Sequence, residues 1–185
     1  WPNLTYSQVG FLPQPVVNYD GAGLPATLLS GNYASLGVLQ STKIGGTIES
    51  PVLATSKFIP VPYTGGGALD TYFAAQPGPK ADIYAGNGRF SEYAVQIDGP
   101  IWAAQTTRVD GRLGVRWYEI DAATDSLLQF GDVTDPALDL YFPSIAVNHF
   151  GQVVIGISGS SETDFAGAYA AVGETLGGVT SFGAP

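Results

Sequence analysis

The stretch IWAAQTTRVDGRLGVRWYEIDAATDSLLQFGDV, residues 101–133, decides the fold class. Residues 101–108 read as a strand that ends at the turn Val109-Asp110-Gly111-Arg112. Residues 114–120 alternate, with Val115, Trp117 and Glu119 on one face and Arg116, Tyr118 and Ile120 on the other. Residues 121–125 are a hairpin connection, because Asp side chains bond nearby backbone N–H groups. Residues 126–133 return as the next strand. Three strands joined by short loops make an antiparallel meander.

Downstream the pattern continues. Pro143 ends a loop, residues 144–147 form a strand, Asn148-His149-Phe150-Gly151 turns the chain, and residues 152–158 run back. Residues 167–172 are a third strand. The segment from Ala94 lies over the segment from Ala146 without a gap, at an offset of 52 residues. Gly99 meets Gly151, Thr106 meets Ser158, Trp117 meets Tyr169, and Ile120 meets Val172. Turns fall on turns and strands on strands. A period near 50 residues with a four-stranded unit suits a β-propeller blade, and the chain holds about four blades of roughly 45 residues.

Upstream, residues 33–40, 51–58 and 83–84 look extended, punctuated by Pro13, Pro15, Pro25, Pro51, Pro60, Pro62, Pro77 and Pro79. Gly65-Gly66-Gly67 is a flexible loop and not a phosphate cradle, since no Lys-Ser/Thr follows it. No window of about 11 residues carries the 3.6-residue apolar period of a surface helix. The expected division is a Pro/Gly-rich irregular β region over 1–69, blades over 70–172, and a flexible tail over 173–185.

Composition narrows the function classes. The chain has 185 residues, enough for a sizeable core, and 45% of them are hydrophobic. Only 12% are charged, so much of the surface must be Ser, Thr, Asn, Gln and Gly, as in many extracellular β-proteins. A net charge of −9 with seven basic residues argues against a nucleic-acid partner. The absence of cysteine excludes disulfides, thiolate catalysis and Cys-based zinc sites. No run approaches a membrane span. The chain opens Trp1-Pro2 and holds no methionine, which suggests a mature, processed or excised piece of something larger.

An ordered set of short strings carries a family likeness. They are Gln76-Pro77-Gly78, Gly99-Pro100-Ile101-Trp102-Ala103-Ala104, Val115-Arg116-Trp117-Tyr118-Glu119-Ile120-Asp121, Leu128-Gln129-Phe130-Gly131, and Phe142-Pro143-Ser144-Ile145-Ala146-Val147-Asn148 with Gly151 and Val154-Ile155-Gly156. Over residues 70–172 the chain resembles a group of large exported bacterial proteins predicted to be β-propellers. The resemblance implies an extracellular or cell-surface bacterial protein whose propeller continues past this chain, so that the ring here is incomplete. Ser144, Asn148 and Gly151 also echo the residue types of the sialidase Asp-box turn, without its Asp or Trp and at a different spacing.

Several side chains are candidates for chemistry. His149 could act as a base with Ser144 and Asp139, or ligate a metal, but its Asn-x-x-Gly setting places it at a wet hairpin tip. A sialidase-like carboxylate grip would draw on Arg89, Arg108, Arg112 and Arg116, with Glu119 and Tyr118 completing the set. Arg116 and Glu119 on opposite faces of one strand oppose that arrangement. Asp132, Asp135 and Asp139 could offer oxygens to Ca²⁺, although acids in turns commonly cap backbone instead. Trp102, Arg116 and Tyr118 are the ligand-binding candidates, Trp117 is expected in the core, and Asn3-Leu4-Thr5 matches a glycosylation sequon.

The expected function is a non-catalytic extracellular binding or scaffold module that packs against another polypeptide covering its open sheet edges, with a glycan as a further candidate partner. The alternatives are a glycan-active hydrolase fragment and a structural subunit of a particle or fibre.

Overall fold

The computed structural model describes residues 9–21, 25–31, 37–62 and 71–185. The sequon at 3–5 and the triple glycine at 65–67 lie outside them. Every element among the described residues is a strand: β1 (Phe11–Asn18), β2 (Ala26–Gly31), β3 (Val38–Gly46), β4 (Pro51–Leu53), β5 (Lys57–Pro60), β6 (Phe73–Ala74), β7 (Ile83–Tyr84), β8 (Ala94–Gln96), β9 (Pro100–Val109), β10 (Arg112–Asp121), β11 (Ser126–Val133), β12 (Asp139–Val147), β13 (Gln152–Ser160), β14 (Gly167–Leu176) and β15 (Val179–Phe182). The fold is all-β with mainly antiparallel sheets, none of them closed.

The meander over 101–133 is present as β9, β10 and β11, and β8 extends it to four strands. Asp110 and Gly111 both take positive φ, 49° and 88°, the conformation a two-residue hairpin loop with right-handed strand twist requires. A second antiparallel meander runs β12-β13-β14-β15. Its pairing differs by one residue from a strict 52-residue shift. Val95 faces Trp102, whereas Val147 faces Val153. The turn between β12 and β13 closes from Asn148 to Gln152, one residue longer than the closure from Ile97 to Pro100.

Two boundaries read from the sequence change. Residues 173–185 are not a tail: β14 runs on to Leu176, Gly177-Gly178 turns the chain, and β15 pairs back with β14. Phe182 then lies 5.5 Å from Trp117, an apolar anchor invisible in a four-residue strand. Nor does the chain divide near residue 69. The first half of β1 pairs with β2 and its second half runs parallel to β8, so the Pro-rich region joins the same nine-stranded path. Pro143 sits inside β12 at an irregularity of the ladder, where its missing N–H costs no pairing.

Packing is in three layers. The path folds at β1, so that Leu29, Leu39 and Ile59 pack on Ile101, Ala103, Tyr118 and Ile120. The other face of β9 and β10 offers Trp102, Val115 and Trp117 to Ile145, Val153, Ile155 and Ile157 of the second meander. The central sheet is therefore buried on both sides, which explains why β10 is buried from Leu113 to Ile120 despite its alternation. Trp102 and Trp117 stack at 5.9 Å, a contact of about 1 kcal/mol beyond the buried area.

The outer layer is tied to the centre by charge. Asp125, with its side chain 4% exposed, accepts from Ser41 Oγ at 2.7 Å and pairs with Lys43 at 3.1 Å and Lys57 at 3.6 Å. Asp121 is the turn cap instead, accepting from the N–H groups of Ala123 and Thr124.

Candidate functional site

Strands β1, β8 and β12 each end in a turn, and the three turns touch. The strings Val16-Val17-Asn18-Tyr19-Asp20-Gly21, Ala94-Val95-Gln96-Ile97-Asp98-Gly99 and Ala146-Val147-Asn148-His149-Phe150-Gly151 run in step. The Asp20 carboxylate accepts from the N–H groups of Asp98 at 2.6 Å and Gly99 at 2.9 Å, and from Gln96 Nε2 at 3.2 Å. The Asp98 carboxylate in turn meets His149 Nδ1 at 2.9 and 3.1 Å. Asn148 Oδ1 holds the third turn by accepting from the N–H groups of Phe150 and Gln152. Each turn thus grips the next.

Beside the second and third turns lies a cleft of about 290 Å³, bordered by Asp98, Trp102, Glu119, His149, Phe150 and Thr175. Glu119 and Trp102 are direct cross-strand neighbours on its floor. Burial pushes the Glu119 carboxyl above its ordinary pKa, and a hydrogen bond from Gln129 Nε2 opposes the shift. Gln129 Oε1 accepts from Thr180 N at 3.0 Å, and Thr180 Oγ1 bonds Thr175 Oγ1 at 2.7 Å. This chain of side chains fixes the orientation of Glu119. The cleft can therefore present a carboxyl with raised proton affinity beside an indole and an exposed imidazole.

The residues singled out in the sequence do not gather here. Trp102 lines the cleft, but Arg116 and Tyr118 face the opposite side of β10. Arg116 donates Nε and Nη2 to the two Asp132 oxygens at 2.7 and 2.6 Å, and Nη1 to the Pro62 carbonyl at 3.0 Å. Burial works against its charge, yet the bond to Asp132 and that carboxylate's charge raise its pKa overall. Tyr118 accepts from Gln105 Nε2 at 2.8 Å, and burial keeps its hydroxyl protonated. Arg112 reaches the Ala137 carbonyl and Arg108 lies over the Tyr72 ring. The sialidase-like set is thus dispersed.

The three calcium candidates have separate partners. Asp132 holds Arg116, Asp135 caps the N–H groups of Ala137 and Leu138, and Asp139 accepts from those of Leu113 and Ala75. Among the described residues no three His, Asp or Glu side chains are grouped to hold a metal. His149 pairs with Asp98, not with Asp139 or Ser144.

Asp20, Asp98 and Gln129 escaped the sequence reading. The signal for the first two was available in the three strings quoted above. Nothing local in Gln129 announces a contact to Glu119 and Thr180. No protein-family model, curated protein or solved structure matches the chain.

Proposed function

We propose that the chain is a propeller-type binding and scaffold segment of an extracellular bacterial protein, and that its second meander docks a further β-sheet. One observation carries the reading. The outward face of β12, β13 and β14 exposes Ala146, Val154, Ala170 and Val172 around the half-buried Gly156, an apolar centre flanked by Ser144 at one end and by Gln152 and Glu174 at the other. Val154 faces Ala146 on one side and Val172 on the other, so the patch is continuous. The central sheet is itself covered on both faces, by β12–β15 on one and by β2, β3 and β5 on the other. The favoured occupant is thus another meander of the same kind.

Size-exclusion chromatography with light scattering tests this. The chain alone should self-associate as its concentration rises, since copies present uncovered faces to each other. A compact monomer at every concentration would count against the proposal.

Glu119 supports a second reading, a glycan-active hydrolase. A carboxyl whose proton is held more tightly than usual, beside an indole, suits general-acid catalysis. A broad glycosidase screen decides it. Activity abolished by Glu119→Gln would favour this reading, and a screen without any turnover would sink it.

A further inference from the structure

The other ends of β1, β8 and β12 also converge. Nine residues before Gly21, Gly99 and Gly151, upstream of the repeated strings, stand Leu12, Phe90 and Phe142. All three line one pocket of about 240 Å³, at the end of β1, β8 and β12 remote from the interlocked turns.

Two of the three hold an unusual backbone. Leu12 and Phe142 have φ of 50° and 51°, and each precedes a proline. A bulky residue rarely enters the left-handed region, and a following proline favours extended backbone instead. Each lies at a break in ladder register, between Phe11 and Gln14 and between Tyr141 and Ser144. Such irregularities re-aim a side chain. Here they turn Leu12 and Phe142 out of the layers, so that they are 49% and 40% exposed in the pocket wall. The Phe142 N–H is held by Thr106 Oγ1 at 3.1 Å. Gly86 makes room for the ring, since a Cβ there would stand 2.9 Å from Phe142 Cε1.

Tyr84 adds a second exposed ring, Gln14 and Asn87 bring amides to the same wall, and Arg89 lines it as its one charged residue. In a chain with 16 acidic residues, no acid lines this pocket among the described residues. Exposed ring faces beside amide and hydroxyl groups match a ligand with one apolar C–H face and an edge of hydroxyls. The volume falls below that of sites for drug-sized ligands, and suits one ring.

We infer that this pocket binds a single pyranose residue of a glycan, with Phe142 and Tyr84 as its stacking platforms. The site does not depend on the docking of a further sheet, because it lies at the strand ends and not on the outer face of β12–β14.

The test is amide NMR with soluble oligosaccharides of glucose, galactose, mannose, N-acetylglucosamine and galacturonate. Shifts confined to Gly86, Asn87, Phe142 and their neighbours are expected with at least one of them. A neutral hit and a galacturonate hit both support the site and separate hydroxyl recognition from carboxylate recognition. Phe142→Asn removes the ring while tolerating positive φ, so the fold should persist. It should weaken binding at least tenfold, whereas Phe142→Trp should keep it. No shift with any sugar, shifts located elsewhere, or wild-type affinity in Phe142→Asn would each overturn the inference. So would a proline-rich peptide that shifts these amides when no sugar does.

Discussion

At the scale of single residues, Arg116 separates a structural from a recognition role. Its guanidinium is fully directed at Asp132 and the Pro62 carbonyl, and the residue is only 5% exposed. Removing one partner of such a pair leaves the other charge without compensation. Arg116→Ala should therefore cost about 3 kcal/mol in urea unfolding. The paired change Arg116→Met with Asp132→Leu should recover most of that loss, because no lone charge remains. A ligand-gripping arginine would instead show little change in stability. Gly131 gives a second expectation. A Cβ there would stand 2.9 Å from Trp117 Cζ2 and Nε1, so Gly131→Ala must displace the ring at the centre of the layered core. A loss of about 1–3 kcal/mol is expected, with altered tryptophan fluorescence.

Among the elements, β10 was legible because its alternation and its flanking turns agree. Asp110-Gly111 and Asp121 both carry local turn chemistry that depends on nothing distant. β1 was obscured because Pro13 and Pro15 read as breakers, while the structure uses them where the ladder is irregular or at an edge of pairing. β15 was missed because four residues carry no period, and its hold comes from Phe182 against Trp117. The cleft was half legible. Glu119 and Trp102 could be placed on one face from alternation, but the Gln129 contact arises only when β11 lies beside β10. That contact predicts a pH dependence. Burial raises the Glu119 pKa, so the folded state binds its proton more tightly than the unfolded state. The stability this contributes is complete below the ordinary value of 4.5 and is lost as pH rises through the higher folded value. Glu119→Gln should abolish this component. Its unfolding free energy should be flatter than that of the wild type as pH rises above 4.5, where the raised carboxyl titrates. Identical pH profiles would show that Glu119 is not desolvated in solution.

For the whole molecule, the central question is what the uncovered layer does. The middle sheet shows what a covered face looks like: large rings and branched residues, Trp102, Val115 and Trp117, sealed by a neighbouring meander. The outward face of β12–β14 is flatter, with a centre of Ala, Val and Gly flanked by Ser144, Gln152 and Glu174, and its residues belong to strands whose other face is mostly buried. Changing it should therefore leave the fold alone. Val154 and Val172 are cross-strand partners, 41% and 60% exposed. Placing lysine at both would put two like charges side by side and desolvate them against any docking sheet. Val154→Lys with Val172→Lys should shift the chain to monomer in light scattering and keep its unfolding free energy in urea within about 0.5 kcal/mol of wild type, the usual range for surface changes. Added salt separates two explanations of the association. A net charge of −9 repels copies of the chain, so salt should strengthen association through an apolar face. Salt that dissolves the assemblies would point to ion pairs, and wild-type association in the double variant would move the docking surface elsewhere on the molecule.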